Sequence, residues 1–209
     1  MHTGAQYHQL ILASRRARRT RARFQKLALE LLPAGANVLD FGAGTGIDAK
    51  AYAAAGHPTF VYEPSEHMRA HLFQHCRAEI ADRRIVALAS PALRKVGAIT
   101  ANFAVLNHFA DHAPVFEGFS RVVEPGGFVL ASMLSPWYLG DARRAWWWTN
   151  LPRLLRNGHY PVDGESGVHR FAPRVVARAA APHFRLERIV PQGPGLTAGL
   201  YMFLLLRRK

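Results

Sequence analysis

Cysteine is almost absent: Cys76 stands alone among 209 residues, so no disulfide can form within the chain. A reducing cytoplasm is the simplest compartment for such a chain. Lysine is scarce as well, confined to Lys26, Lys50, Lys95 and Lys209, and the 14 acidic residues face 27 lysines and arginines. The resulting formal charge of +13 is carried almost entirely by arginine. Such a field favours anionic partners and admits nucleic acid, an acidic lipid surface or an acidic substrate. No apolar run reaches the length of a bilayer span; the longest, 199–206, suits a buried strand. The first residues lack the apolar centre of a signal peptide. The eleven histidines are scattered and Cys76 has no second thiol nearby, so no metal site is expected. His71 and His75, four apart on a predicted helix, are the spacing of many surface pairs.

What is present is an ordinary globular composition, 49% hydrophobic, long enough to bury one substantial core. The expectation is a single domain over 1–209. Residues 5–32 read as one helix within an N-terminal stretch 1–34: Leu10, Ala13, Ala17, Phe24, Leu27 and Leu31 share a face. Arg15, Arg16, Arg18, Arg19, Arg21 and Arg23 lie mostly off that stripe, as a solvated basic face would. Beyond Pro33-Ala-Gly35, predicted strands at 37–41, 59–63, 84–89, 98–103 and 128–134 alternate with helical stretches. That rhythm implies βαβ units and a parallel sheet covered on both faces. The end differs. Strands at 184–190 and 200–206 are joined by a loop too short for anything but antiparallel pairing. Between lies an unusual segment, 135–170, which holds all four tryptophans together with Arg143, Arg144, Arg153 and Arg156. It reads as an inserted aromatic and basic cap.

The motif with most chemical content is Asp40-Phe-Gly42-Ala-Gly44-Thr-Gly46, at the junction of a strand and a helix. Glycines there permit positive φ and close approach of a ligand to the backbone, and the following helix N-terminus favours negative charge. About twenty residues on, Glu63 ends the second strand, where a carboxylate can accept from both hydroxyls of a ribose. A dinucleotide and an S-adenosyl nucleoside both use this layout. The dinucleotide fingerprint fits only in a frame displaced by two residues, Gly44-Thr-Gly46-Ile-Asp-Ala49.

Four blocks in order, Val38-Leu-Asp-Phe-Gly-Ala-Gly-Thr-Gly46, Val61-Tyr-Glu-Pro-Ser65, Ala101-Asn-Phe-Ala-Val-Leu-Asn107 and Arg121-Val-Val-Glu-Pro-Gly-Gly127, resemble the class I methyltransferases that use S-adenosylmethionine (SAM). The resemblance covers about 35–134. It implies an α/β fold: a Rossmann-like, doubly wound, seven-stranded sheet, mostly parallel with its last strand antiparallel, and helices on both faces. It implies SAM as cofactor and S-adenosylhomocysteine as product. Carried over by position, Gly42, Ala43, Gly44 and Gly46 line the methionine and ribose, and Asp40 positions the amino end. Glu63 holds the ribose, Pro64 and Met68 flank the adenine, and Ala89-Ser90 edge it. The family often has an acid near that last position and this chain has none. Asn102 and Phe103 face the methionine and the reacting methyl.

The acceptor is less legible. His108, just past the fourth strand with Asp111 and His112 nearby, is the leading candidate for a general base. Tyr7 and His8 reach the same rim if the first helix folds over it; His159, Tyr160 and His169 are remoter candidates. The cap's tryptophans favour a flat, apolar or aromatic acceptor, and its arginines an anionic group upon it. The expected reaction is methyl transfer to a hydroxyl or carboxylate of such a small molecule. RNA or protein methylation is an alternative, weakened because Asn102-Phe-Ala-Val stands where base-amine methylating enzymes carry Asn/Asp-Pro-Pro-Tyr/Phe. A non-catalytic SAM binder is a third reading. Exposed aromatics would also serve a homodimer or a peripheral membrane contact.

Overall fold

The computed structural model describes residues 6, 8–9, 13–162, 167–191, 193 and 195–209. Helix α1 (Arg15–Leu31) begins where Ser14 turns extended and its hydroxyl accepts from the Ala17 amide at 3.2 Å. The single helix expected over 5–32 is therefore interrupted. A serine hydroxyl offers first-turn amides an acceptor, and that local bond competes with continuing the helix. Gln6, His8, Gln9 and Ala13 are helical on the far side of the break.

The chain continues through β1 (Val38–Phe41), α2 (Ile47–Ala54), β2 (Thr59–Tyr62), α3 (Glu66–His75), α4 (Arg77–Ala81) and β3 (Ile85–Ala87). Then come β4 (Val96–Ala101), α5 (Ala113–Val122) and β5 (Val123–Leu134). The segment after β5 forms α6 (Ala145–Asn157) and a small hairpin, β6 (His159–Pro161) with β7 (His169–Phe171). Helix α7 (Pro173–Ala180) leads to β8 (Phe184–Pro191) and β9 (Tyr201–Arg208).

The seven-stranded sheet has the order β3-β2-β1-β4-β5-β9-β8. Its first five strands pair in parallel, and β9 is antiparallel to both β5 and β8. This is the topology expected from the sequence. Both faces are buried, and the alternation of side chains assigns each residue to one of them. Val38, Phe128, Leu130, Phe203 and Leu205 pack beneath Phe24, Leu27 and Ala28 of α1. The ring of Phe24 meets that of Phe203 edge-on at 5.2 Å. Leu39, Phe41, Val129, Ala131, Met202, Leu204 and Leu206 face the other way, onto Phe116 and Phe119 of α5 and Val176 of α7. Each of the larger side chains among these, Val, Leu, Phe or Met, contributes roughly 1.5–3 kcal/mol of transfer free energy when fully buried.

Several strand ends depart from expectation, by one to five residues, and β5 and β4 show why. Val123 already pairs with Val96 before Pro125-Gly126-Gly127 bulges out, so β5 starts earlier than 128. β4 stops at Ala101 rather than 103, because Phe103 and Ala104 take positive φ of 54° and 65°. The cap is tied within itself, Trp147 donating to Pro136 O at 3.4 Å and Arg170 pairing with Asp141 and donating to Ser135 O, both at 2.7 Å. It is also tied to the body, Asn107 donating to His169 O at 2.6 Å and Ser135 to Leu196 O at 2.7 Å. Among the described residues no helix is long and apolar enough to cross a membrane.

The chain leaves β1 toward β2 and β3 on one side and returns on the other at β4. The connections after β1 and β4 therefore diverge, opening a crevice at the carboxyl ends of these strands.

Candidate active site

A cavity of about 720 Å³ fills that crevice. Its floor is the turn after β1. Gly42 donates to Tyr62 O at 2.8 Å with φ +72°, and a Cβ there would lie 2.7 Å from the Val105 methyls, so the turn closes against the β4 connection only with glycine. Gly44, at φ +56°, borders the cavity, and a Cβ added there would meet nothing within 4 Å. Ala43 and Thr45 complete the floor. Gly46 is placed differently: it lies outside the cavity lining, and its Cβ would meet Cys76 Sγ at 2.6 Å and Leu72 at 3.1 Å, so it allows α2 to pack on α3.

Glu63, one residue past β2, is locked by two backbone amides: Gly44 N donates to one carboxylate oxygen at 2.7 Å and Ser65 N to the other at 2.8 Å. Each oxygen keeps acceptor capacity toward the cavity, which Pro64, Ser65 and Met68 also line. Ala89 and Ser90 do not line it. Ser90 accepts from Ala92 N at 3.4 Å at the start of a short turn, and that turn brings Pro91 to the cavity instead.

The β4 end is strained. Two successive non-glycine residues with positive φ are uncommon and costly, and such backbone gathers at functional sites. The turn is held by Phe103 N donating to Asn102 Oδ1 at 2.8 Å and Ala104 N donating to Ser132 O at 2.9 Å. It sets Asn102 and Phe103 against the cavity.

A charged network that sequence reasoning missed lies beside them. The Asp48 carboxylate, in the first turn of α2, accepts from Arg21 at very short range, from Gln25 Nε2 at 2.7 Å and from Asn102 Nδ2 at 3.0 Å. Arg21 reaches in from α1, its guanidinium carbon 4.5 Å from the centre of the Phe103 ring, with Nε left without a partner. Arg21 and Asp48 both line the cavity. The available signal was positional: Arg21 falls four after Ala17 and three before Phe24, on the edge of the buried stripe rather than amid the solvated arginines.

Asp40 sits behind this network, outside the cavity lining, buried and accepting from Thr100 Oγ1 at 3.2 Å. Burial first, and the neighbouring Asp48 charge second, push its carboxyl well above the usual range. His108 lines the cavity from its exposed rim, at the end of the short helical turn 105–108, and has no hydrogen-bond partner among the described residues. Its two neighbours turn elsewhere. Asp111 accepts from Ala113 N at 2.9 Å at the start of α5. His112 is buried, donates from Nε2 to Leu106 O at 2.9 Å, and is held by burial below the ordinary histidine value. Tyr7 lies outside the described residues. His8 hydrogen-bonds Thr45 Oγ1 at 3.0 Å, and its ring meets those of His71 at 4.8 Å and His75 at 4.7 Å. Among the described residues no group of three His, Cys, Asp or Glu is arranged to hold a metal ion.

The cap stands apart from this cavity. His159, His169, Tyr160 and the four tryptophans do not line it. Trp147 is buried, Tyr160 donates to Pro136 O at 3.2 Å with its phenol pushed up to about 12 by burial, and Trp148 is exposed. The cavity's aromatic walls are Phe41, Tyr62, Phe103 and Phe109.

The donor and acceptor set fits an S-adenosyl nucleoside: an open glycine face, a fixed carboxylate for a diol, apolar side chains beside it, and a buried guanidinium with an orphaned N–H. Residues 12–180 match the family described as a methyltransferase domain. No curated protein matches the chain. Solved structures share the fold at low identity. A SAM-dependent methyltransferase from Mesorhizobium loti superposes with a TM-score of 0.63 at 18% identity, covering 88% of this chain and 98% of that one. A glycopeptide N-methyltransferase complexed with S-adenosylhomocysteine gives 0.64 at 14% identity, covering 91% and 90%. A [4+2]-cyclase gives 0.63 at 15%, covering 90% and 80%, so the fold alone does not fix the reaction. The match over 12–180 carries the assignment: the chain belongs to the methyltransferase-domain family and is built as a class I, SAM-dependent methyltransferase.

Proposed function

We propose that this chain methylates a small molecule, at a hydroxyl or carboxylate of an aromatic or apolar anionic metabolite, and that residues 1–209 work as one domain. The observation that carries the reading is the juxtaposition in one cavity of the Glu63 clamp, the Gly44 face and the strained Asn102-Phe103 turn, walled by aromatic rings. SAM supplies an electrophilic methyl on a sulfonium. The protein's own part is to bind, orient and exclude water. Glu63 accepts from the ribose hydroxyls, with its carboxylate already oriented by the Gly44 and Ser65 amides. Pro64 and Met68 flank the adenine, and Gly42 to Gly44 lie under the ribose and methionine. Arg21, with Asp48 balancing one side of its guanidinium, lines the cavity and supplies the positive charge for the methionine carboxylate. Asn102 and Phe103 border the transferred methyl. Asp40 acts through the network rather than by touching the cofactor. His108, at the open rim, takes the proton of a hydroxyl acceptor; a carboxylate acceptor needs no base.

Calorimetric titration with SAM and S-adenosylhomocysteine, followed by turnover screens over hydroxy-aromatic and carboxylic acids, tests this. Binding with turnover of small acids or phenols is expected. Methylation of RNA or protein alone would replace the reading, and binding without turnover toward any acceptor would leave a non-catalytic binder.

A further inference from the structure

A second concavity, of about 510 Å³, opens on the opposite side of α1 from Arg21. It is walled by Arg15, Arg16, Arg19 and Arg23 with Thr20, and closed by Ala198 and Gly199 just before β9. Arg15, Arg19 and Arg23 succeed one another at one helical turn, and no carboxylate lines the concavity among the described residues. Arg16 donates one N–H to Tyr138 Oη at 3.0 Å and lies over that ring at 5.2 Å; Arg23 makes only a long contact to Pro191 O at 3.4 Å. Neither bond neutralises charge. Guanidiniums gathered without a counter-charge repel one another, and a bound oxyanion relieves that repulsion while filling their forked donors.

The place of this concavity connects it to the chemistry. Gly199 is two residues before Tyr201, whose ring meets Phe103 at 5.4 Å, and Phe103 is the residue that Arg21 covers in the cofactor cavity. A chain of contact thus runs from the cofactor cavity through Phe103 and Tyr201 to the start of β9, where Tyr201 pairs with Leu134 and Gly199, two residues earlier, closes the concavity. We propose that the arginine concavity seats the anionic group of the methyl acceptor, a phosphate or a pair of carboxylates, while the rest of an elongated acceptor reaches past Tyr201 and Phe103 toward the methyl. This rests on the small-molecule reading above and names its substrate class. It moves anion recognition from the cap arginines, to which the sequence assigned it, to α1.

The test compares the wild type with a double variant, Arg15→Gln with Arg19→Gln, neither residue touching the cofactor cavity. With S-adenosylhomocysteine saturating and at physiological salt, pyrophosphate and citrate are titrated calorimetrically as separate arms. Binding by the wild type, weakened tenfold or more in the variant at unchanged S-adenosylhomocysteine affinity, is expected. The tighter arm tells phosphate from carboxylate recognition. Neither probe binding, equal binding by both proteins, or binding of a single-stranded RNA oligomer in place of both probes overturns the anion seat. In the turnover screen, free acids or phosphates are paired with their neutral esters. The anionic member should be preferred, and the variant should raise its KM tenfold or more with kcat retained. Indifference to the charge overturns the proposal while small-molecule methylation stands. Absence of any small acceptor, with the titrations behaving as expected, overturns the acceptor assignment and the small-molecule reading together, while the anion seat stands.

Discussion

Glu63 is held by the Gly44 and Ser65 amides before any ligand arrives, so its carboxylate is oriented in advance and little entropy is lost when a diol binds. Glu63→Ala removes the acceptor and leaves ribose hydroxyls unpaired; SAM affinity should fall by about 1–3 kcal/mol, measured by calorimetry. Unchanged affinity would take Glu63 out of the site. His108 is separable from cofactor binding, because it stands at the rim without a partner among the described residues. His108→Ala should lower kcat about a hundredfold toward a hydroxyl acceptor and leave S-adenosylhomocysteine affinity alone. Equal turnover by that variant would point to a carboxylate acceptor. These residues were legible because their spacing is local: three glycines in a turn, and an acid about twenty residues on. Arg21 and Asp48 were not. They are 27 apart in sequence and look like any surface charges until α1 is laid across α2.

Elements carry their own consequences. α1 is tied to α2 and to the β4 turn by a single carboxylate, Asp48, which accepts from Arg21, Gln25 and Asn102. Asp48→Ala leaves the Arg21 charge, whose side chain is 11% exposed, without its counter-ion. Breaking a buried pair in this way costs on the order of 3–5 kcal/mol, readable as a lower urea midpoint at unchanged slope. A wild-type midpoint would show the network to be incidental. Ahead of the Ser14 break, His8 lies on Thr45 and between His71 and His75. Burial first, then His71 and Arg21, hold His8 below its ordinary 6.5; burial first, then His8, Lys50 and His71, also lower His75, against Glu79. Both values are depressed on folding, so the unfolded segment binds more protons. The attachment is therefore full above about 6.5 and is lost as pH falls through the folded values. Proteolysis near residue 8 should be slow at pH 8 and accelerate by pH 5.5; a pH-independent rate would refute a histidine-dependent attachment. The strands were legible from their apolar runs, their ends less so. β4 stops two residues early because Phe103 and Ala104 adopt a backbone that propensity disfavours, and only the surrounding packing imposes it. The Ser14 break was similarly hidden, since one hydroxyl against a continuing apolar stripe does not announce which wins.

At the scale of the whole molecule the charge of +13 and the architecture point to different partners, and magnitude decides between them. The α/β order is legible in the chain alone, because alternating runs and a short final loop admit few topologies. The cap was located, but not how its rings would be shared out: Trp147 and Tyr160 are turned into the protein, Trp148 is exposed, and none of the tryptophans lines the cofactor cavity. Sequence gives residue types and periodicity, and the side of the sheet on which an insertion settles depends on long-range packing. Charge is a long-range property that sequence does report, and it makes a distinct prediction. An arginine-rich surface attracts any polyanion by releasing counterions, without reading its sequence or presenting an atom to the methyl. A single-stranded RNA oligomer should therefore bind at low ionic strength. Its affinity should fall by about a thousandfold or more between roughly 50 and 200 mM salt if six or more phosphates are engaged. No label should pass from methyl-labelled SAM to it at either salt. Affinity that persists at the higher salt, together with label in the RNA, would mean that the charge was selected for an RNA acceptor and that the enclosed cavity serves a base rather than a small molecule.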